Sequence, residues 1–309
     1  MKNNTISKSN CQYEKSKKAL LRKLGEKKVY NNKVVDFLEN YPDKVRAERI
    51  RECGTYIDIV NVDNVAKIIN ANFCRERLCN VCAWRKQKKF VATVTPVLEH
   101  LETQGYKYIF VTLTMRNPSA ESLKDSLDEL LKGYNKFLGR KRIETAFCGA
   151  IRSLEITYKE KADTYHPHIH LLVAVEEDYF STRGKYLSQR QLCNIWQECI
   201  GSEYVPVCYV EKVYNTLGSE LETLKYATKP SEDLRTLKVF YEVLKGRRLI
   251  SFSGVFAKCR KEFDKALKSN ADIGIPSGQY TSLCYRFDVT GGVYTYYSKH
   301  YFEIEERKE

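Results

Sequence analysis

A chain of 309 residues with 43% apolar residues can bury the core of one large domain or two modest ones. Its formal net charge of +13 points to a polyanionic partner, with nucleic acid ahead of an anionic membrane surface. No apolar run approaches the roughly 18–20 residues that span a bilayer, and Lys-rich residues 1–28 lack the apolar centre of a secretion signal, so a cytoplasmic location without a membrane partner is expected.

Residues 1–50 form a basic N-terminal arm, with short apolar stripes at Leu20, Leu21 and Leu24 and again at Val34, Val35, Phe37 and Leu38. A solvated tail and a phosphate-binding arm that orders on contact both fit this pattern. Residues 51–100 are cysteine-rich. Cys79 and Cys82 make a Cys-x-x-Cys knuckle, Cys74 lies just upstream, and Cys53 is the candidate fourth ligand of a structural zinc. A redox pair is the alternative. Arg75, Arg77, Arg85 and Lys86 interleave with Phe73 and Trp84, which suits a DNA backbone. The remaining cysteines read as reduced, small apolar residues.

Regular alternation begins near residue 107. Tyr108–Thr114 reads as a strand, and Leu123, Leu127, Leu130, Leu131, Tyr134 and Leu138 keep the spacing of an amphipathic helix. Strands follow at Ala150–Tyr158 and through His166–Val173, then a helix over Leu187–Ile200, a strand over Val205–Val210 and a helix over Ser219–Thr228 that Pro230 stops. The order β-α-β-β-α-β predicts an α+β fold of ferredoxin-like (split βαβ) type, an antiparallel sheet with helices on one side. Residues 101–232 form this core. Residues 233–309 form a basic extension, strand-like over Leu249–Phe256 and with a hairpin between Tyr285 and Tyr301 that turns at Gly291-Gly292.

Two groups carry candidate chemistry. His166, His168 and His170 alternate along one strand and so share a face, while Ile169, Leu171 and Val173 bury on the other. With a turn near Lys161-Ala162, Glu155 falls opposite His168 or His170, flanked on its face by Ser153 and Thr157. Imidazoles and a carboxylate with open positions suit Mg²⁺ or Mn²⁺ holding a phosphate oxygen. A strand whose histidines merely face solvent is the alternative. In the second group, Glu222, Lys225, Tyr226 and Lys229 share one helix face. Such a face is usually a solvated ion-pair surface. It can also present a tyrosine nucleophile, cations for its phenolate and a carboxylate that activates water.

Phe110–Asn117, His166–Leu172 and Glu222–Lys229 resemble, in order, the three motifs of rolling-circle plasmid replication initiators of the HUH endonuclease superfamily. Residues 73–85 look like that family's cysteine-rich stretch, with Asn80 where proline is common. The resemblance covers about residues 45–260 and implies a single-strand nickase and strand transferase of the single-tyrosine branch. It places metal on His168 and His170, with His166 an additional motif histidine. Tyr226 would form a 5′-phosphotyrosine link and free a 3′-OH, and Glu222 would activate water at termination. Arg116 and Asn117, which close the first motif, join the candidate DNA contacts. Implied partners are origin DNA, as a single-stranded or hairpin nick site with flanking duplex, and a separate host helicase with its replication machinery, since no Gly-x-x-x-x-Gly-Lys loop is present. Monomer and homodimer both stay open. An HUH relaxase or transposase, and a non-catalytic zinc-stabilised DNA-binding regulator, are the alternatives.

Overall fold

The computed structural model describes residues 3–41, 43–213, 234–269 and 278–304. It is α+β with antiparallel sheets, and its contacts divide the chain into two compact units, Met1–Lys86 with Asp264–Glu309, and Gln87–Phe263. Among the described residues no helix is long and apolar enough to cross a membrane.

In the first unit the short apolar stripes expected near the N-terminus belong to one helix, α1 (Asn3–Asn40). Leu24, Lys28, Asn31, Val34, Val35 and Leu38 are buried along it at helical spacing, so this stretch packs as a helix and is not a solvated tail. Helix α2 (Lys44–Glu52) follows, its N-cap Asp43 accepting from the Arg46 amide. Strands β1 (Tyr56–Val62) and β2 (Val65–Ala71) pair through Asp63-Asn64, both at positive φ (51° and 65°), the backbone of a tight two-residue hairpin turn. Strands β8 (Gly278–Asp288) and β9 (Val293–Ile304) form the expected hairpin, closed at Gly292, and join β1 in the sheet order β2-β1-β8-β9. Ile57 and Ile59 are fully buried in this sheet, and α1 packs on β2 and β9.

The second unit carries a five-stranded antiparallel sheet. Its strands are β3 (Lys107–Thr114), β4 (Gly149–Lys159), β5 (Thr164–Val175), β6 (Cys208–Lys212) and β7 (Ile250–Phe252), in the order β6-β3-β5-β4-β7. The histidine strand β5 is central, between β3 and β4. One face packs Ile169, Leu171, Val173 and Leu154 against α4 (Leu123–Leu138), α5 (Lys141–Ala146), α6 (Gln189–Ile200) and α7 (Leu234–Val243). Helices α4 and α6 meet closely at Gly133, where an added Cβ would lie 2.6 Å from Ile200. A capping box between Ser188 and Gln191 starts α6.

The expectation of helices on one side needs correction. The other face also carries Tyr108, Phe110, Ile151, Leu172 and Ala174, and these need cover. Val94, Val97, Leu98 and Leu101 of α3 (Asn80–Thr103) supply it, with Phe256 of α8 (Gly254–Ser269). Two strand expectations also shorten. Pairing in β6 starts at Cys208: Val207 O still accepts from Thr114 N at 3.2 Å, but Thr114 O is taken by Trp196 Nε1 at 2.7 Å. The stretch expected to be extended to Phe256 keeps only Ile250–Phe252, then becomes helix at Gly254.

Candidate metal centres and their surroundings

Strand β5 owes its alternation to its place in the sheet. A 3₁₀ turn (Glu160–Ala162) and Asp163 in the left-handed region (φ 45°) fold it back on β4. The resulting register sets Glu155 opposite His168, Ser153 opposite His170 and Thr157 opposite His166. On the other side Thr114 pairs with His168 and Thr112 with His170.

Glu155 Oε2 lies 3.2 Å from His168 Nε2 and 3.1 Å from His170 Nε2. Cis ligands on an octahedral ion with bonds of about 2.1 Å stand about 3.0 Å apart, so this spacing fits a divalent ion. The ring orientations fit as well. His168 Nδ1 is 3.0 Å from the carbonyl of His166, which only accepts, so Nδ1 carries the proton and Nε2 presents a lone pair. His170 Nδ1 is 3.0 Å from Thr112 Oγ1, which can accept in the same way. Two lone pairs aimed at one carboxylate form a donor set for a cation. His168 and His170 are buried, and Phe110 stacks on the His170 ring at 5.3 Å. In the absence of an ion, burial pushes the Glu155 carboxyl up, and it is held down at about 2 only when the two histidines carry Nε2 protons and donate to it.

His166 stands apart from this group. Its Nδ1 is 2.7 Å from Asn117 Oδ1, and it is not among the three residues whose ligand atoms converge. Burial and the neighbouring His168 lower its affinity for a proton. Asn117 is thus tied to the histidine strand, while exposed Arg116 stacks over the Tyr204 ring at 4.7 Å and its amide donates to Tyr204 Oη at 2.7 Å. Glu222, Lys225, Tyr226 and Lys229 lie outside the described residues.

The second cluster comprises Cys53, Cys74, Cys79 and Cys82, whose sulfurs all lie within 4.8 Å of one another. Close pairs are 3.5 Å (Cys53–Cys82 and Cys53–Cys79) and 3.7 Å (Cys74–Cys82). Four sulfurs about 2.3 Å from a tetrahedral zinc would stand about 3.8 Å apart, so the cluster fits that ion. Backbone amides converge on the sulfurs. Cys74 N points to Cys53 Sγ (3.4 Å), Arg75 N to Cys82 Sγ (3.2 Å) and Glu76 N to Cys74 Sγ (3.4 Å). Hydrogen bonds from the other three thiols hold Cys79 well below the usual thiol range. Arg75 reaches this position with φ at 61° and is exposed, as are Arg77 and Lys86. Arg85 lies over the Phe73 ring at 4.5 Å.

Two residues of α1 serve this cluster without any signal in the cysteine motif. Asn31 Nδ2 donates to Cys79 Sγ at 3.2 Å, and Asn31 Oδ1 accepts from the Asn80 amide at 2.8 Å. Lys28 Nζ donates to the Arg51 carbonyl at 2.5 Å, and burial pushes its ammonium down against the pull of Cys53 and Cys79. Their one trace in the sequence is polarity at positions that continue an apolar helical stripe.

Comparison with known proteins gives a consistent result. A family model described as "Replication protein" matches residues 65–283. A "Protein rep" of Bacillus amyloliquefaciens is 30% identical over 259 residues, covering 74% of this chain and 76% of its own length. One from Staphylococcus aureus is 31% identical over 218 residues, covering 69% and 95%. One from Lactiplantibacillus plantarum is 30% identical over 280 residues, covering 84% and 88%. No solved structure matches.

Proposed function

The chain belongs to the Rep replication-protein family of plasmid initiators, and from that premise we propose that it starts rolling-circle replication by nicking one origin strand and later rejoins it. The observation that carries this reading is the convergence of Glu155, His168 and His170 on one sheet face, with both imidazole lone pairs turned to the same point. The strand order β6-β3-β5-β4 supports a split βαβ core of HUH type.

Glu155, His168 and His170 would hold a divalent ion such as Mg²⁺ or Mn²⁺, which when bound polarises a phosphate oxygen. Thr112 fixes the ring of His170, and the strand's own carbonyl fixes that of His168, so the donors are ordered before substrate arrives. Tyr226 attacks the scissile phosphorus. Its Oη–P bond forms as the P–O3′ bond breaks, leaving a 5′-phosphotyrosine and a free 3′-OH that primes synthesis. Lys225 and Lys229 stabilise the phenolate. Glu222 takes a proton from water at termination. Transesterification conserves the bond energy, so the step needs no ATP, and a separate helicase unwinds the duplex. The four cysteines would hold a structural zinc, and that ion would order a basic surface bearing Arg75, Arg77, Arg85 and Lys86, for origin DNA.

The test is adduct formation on an origin oligonucleotide with Mn²⁺, read on a denaturing gel. Wild-type protein is expected to give a covalent adduct and Tyr226→Phe none. An adduct that persists in Tyr226→Phe would show that another residue is the nucleophile.

A further inference from the structure

We propose that Tyr209, with Val205 and Val207, forms a platform on which unpaired DNA bases stack beside the scissile phosphate. The inference rests on the nicking reading above and adds to it the residues that hold the strand.

Strand β6 is an edge of the five-stranded sheet. Along it and the residues before it, burial alternates. Pro206 and Cys208 turn inward, while Val205, Val207 and Tyr209 are 69%, 67% and 50% exposed. Tyr209 pairs directly with Thr112, which pairs with His170, which pairs with Ser153. Residues directly opposite in a sheet share a face, so Tyr209 projects from the same face as the histidines. Two strand spacings separate it from His170, about 10 Å. Val207 and Val205 continue the strip along that face.

An exposed edge strand is ordinarily protected by charge. Contiguous apolar side chains there mark a contact surface. The charges nearby say what it contacts. Glu211, next on the same face, accepts from Tyr209 Oη at 3.4 Å, and a carboxylate in that place repels phosphate. Bases, not backbone, therefore suit the strip. The backbone has its own partners nearby, the histidine site two strands across from the strip and exposed Arg116 on the Tyr204 ring, next to Val205. Aromatic stacking with flanking cations is how proteins hold single strands without reading their sequence. A paired duplex keeps its base faces covered and offers nothing to such a platform.

The experiment uses the full chain and single-stranded oligonucleotides carrying 2-aminopurine at successive positions around the nick site. Wild-type adduct formation is scored first. Stacking on Tyr209 should quench one or two adjacent positions. Tyr209→Ala should relieve that quenching and weaken oligonucleotide binding about 5- to 150-fold, the range for losing one stacked base. Tyr209→Trp should restore both. Mn²⁺ binding, read by electron paramagnetic resonance, should be unchanged in Tyr209→Ala, as should thermal unfolding. Unaltered binding and quenching in Tyr209→Ala, with wild-type protein active, would overturn the platform alone. So would equal weakening on fully paired duplex, or a change confined to self-association, which would make the strip a protein interface. Wild-type protein that neither binds nor cleaves the oligonucleotides would overturn the nicking reading and the platform with it.

Discussion

Among the described residues, the two clusters able to hold metal are built on opposite plans. The four thiols offer a complete tetrahedral set, with three backbone amides and the Asn31 side chain aimed at the sulfurs. Nothing is left over for a substrate. The Glu155–His168–His170 group offers three donors, fixed in orientation but too few to complete an octahedron. A closed shell of soft ligands stabilises a fold, and an incomplete shell of nitrogen and oxygen donors leaves room for phosphate. Local sequence shows the same contrast. The cysteines come from a helix end, a loop and a knuckle, whereas the open site comes from one β-hairpin whose rigidity is that of the sheet.

The contrast is broken most severely by losing a cysteine. Structural zinc contributes apparent free energies of about 10–16 kcal/mol in small zinc modules, so Cys79→Ser should lose the metal and unfold the first unit. Zinc content and circular dichroism would check this, and a folded, zinc-free variant would show that the cluster is not structural. His170→Asn should leave zinc content and thermal unfolding near wild type while cutting nicking about a thousandfold, since the lost contribution to the transition state is several kcal/mol. Steady-state nicking rates across a Mn²⁺ titration would measure it. Thr112→Val removes the partner of His170 Nδ1 and should weaken Mn²⁺ binding about 10- to 100-fold, with saturating metal recovering activity. The smallest effect belongs to Asn31→Ala. It leaves the buried Asn80 amide unpaired and should cost about 1–2 kcal/mol of stability without touching nicking, readable in thermal unfolding.

The open site was largely legible in the sequence because it is local. Period-two alternation through His166–His170 and one short turn were enough to set Glu155 against His168. The same turn did not decide whether His166 joins the ligands. That depended on Asn117, which follows another strand. The sequence showed the helix α4 for the same local reason, through its leucine spacing. Long-range pairing was less visible. Strand β1 takes β8 as its neighbour from the other end of the chain, and no pattern within either strand names its partner. The β1–β2 hairpin did carry a signal, Asp63-Asn64 between alternating runs. The second helical layer over the histidine-bearing sheet was implied by Phe110, Leu172 and Ala174, apolar residues on the same face as the histidines. Lys28 and Asn31 showed only as polar residues on an apolar helical stripe, since the groups they bind, the Arg51 carbonyl and the Cys79 sulfur, lie far along the chain.

The central claim is that the chemistry belongs to the incomplete shell and the fold to the complete one. It is tested most directly by adduct formation in a variant carrying Glu155→Ala, His168→Asn and His170→Asn together, with zinc content measured on the same sample. The expected result is no covalent adduct at any Mn²⁺ concentration, with zinc retained at the wild-type level. Adduct formation with undiminished metal dependence in that variant would contradict the claim.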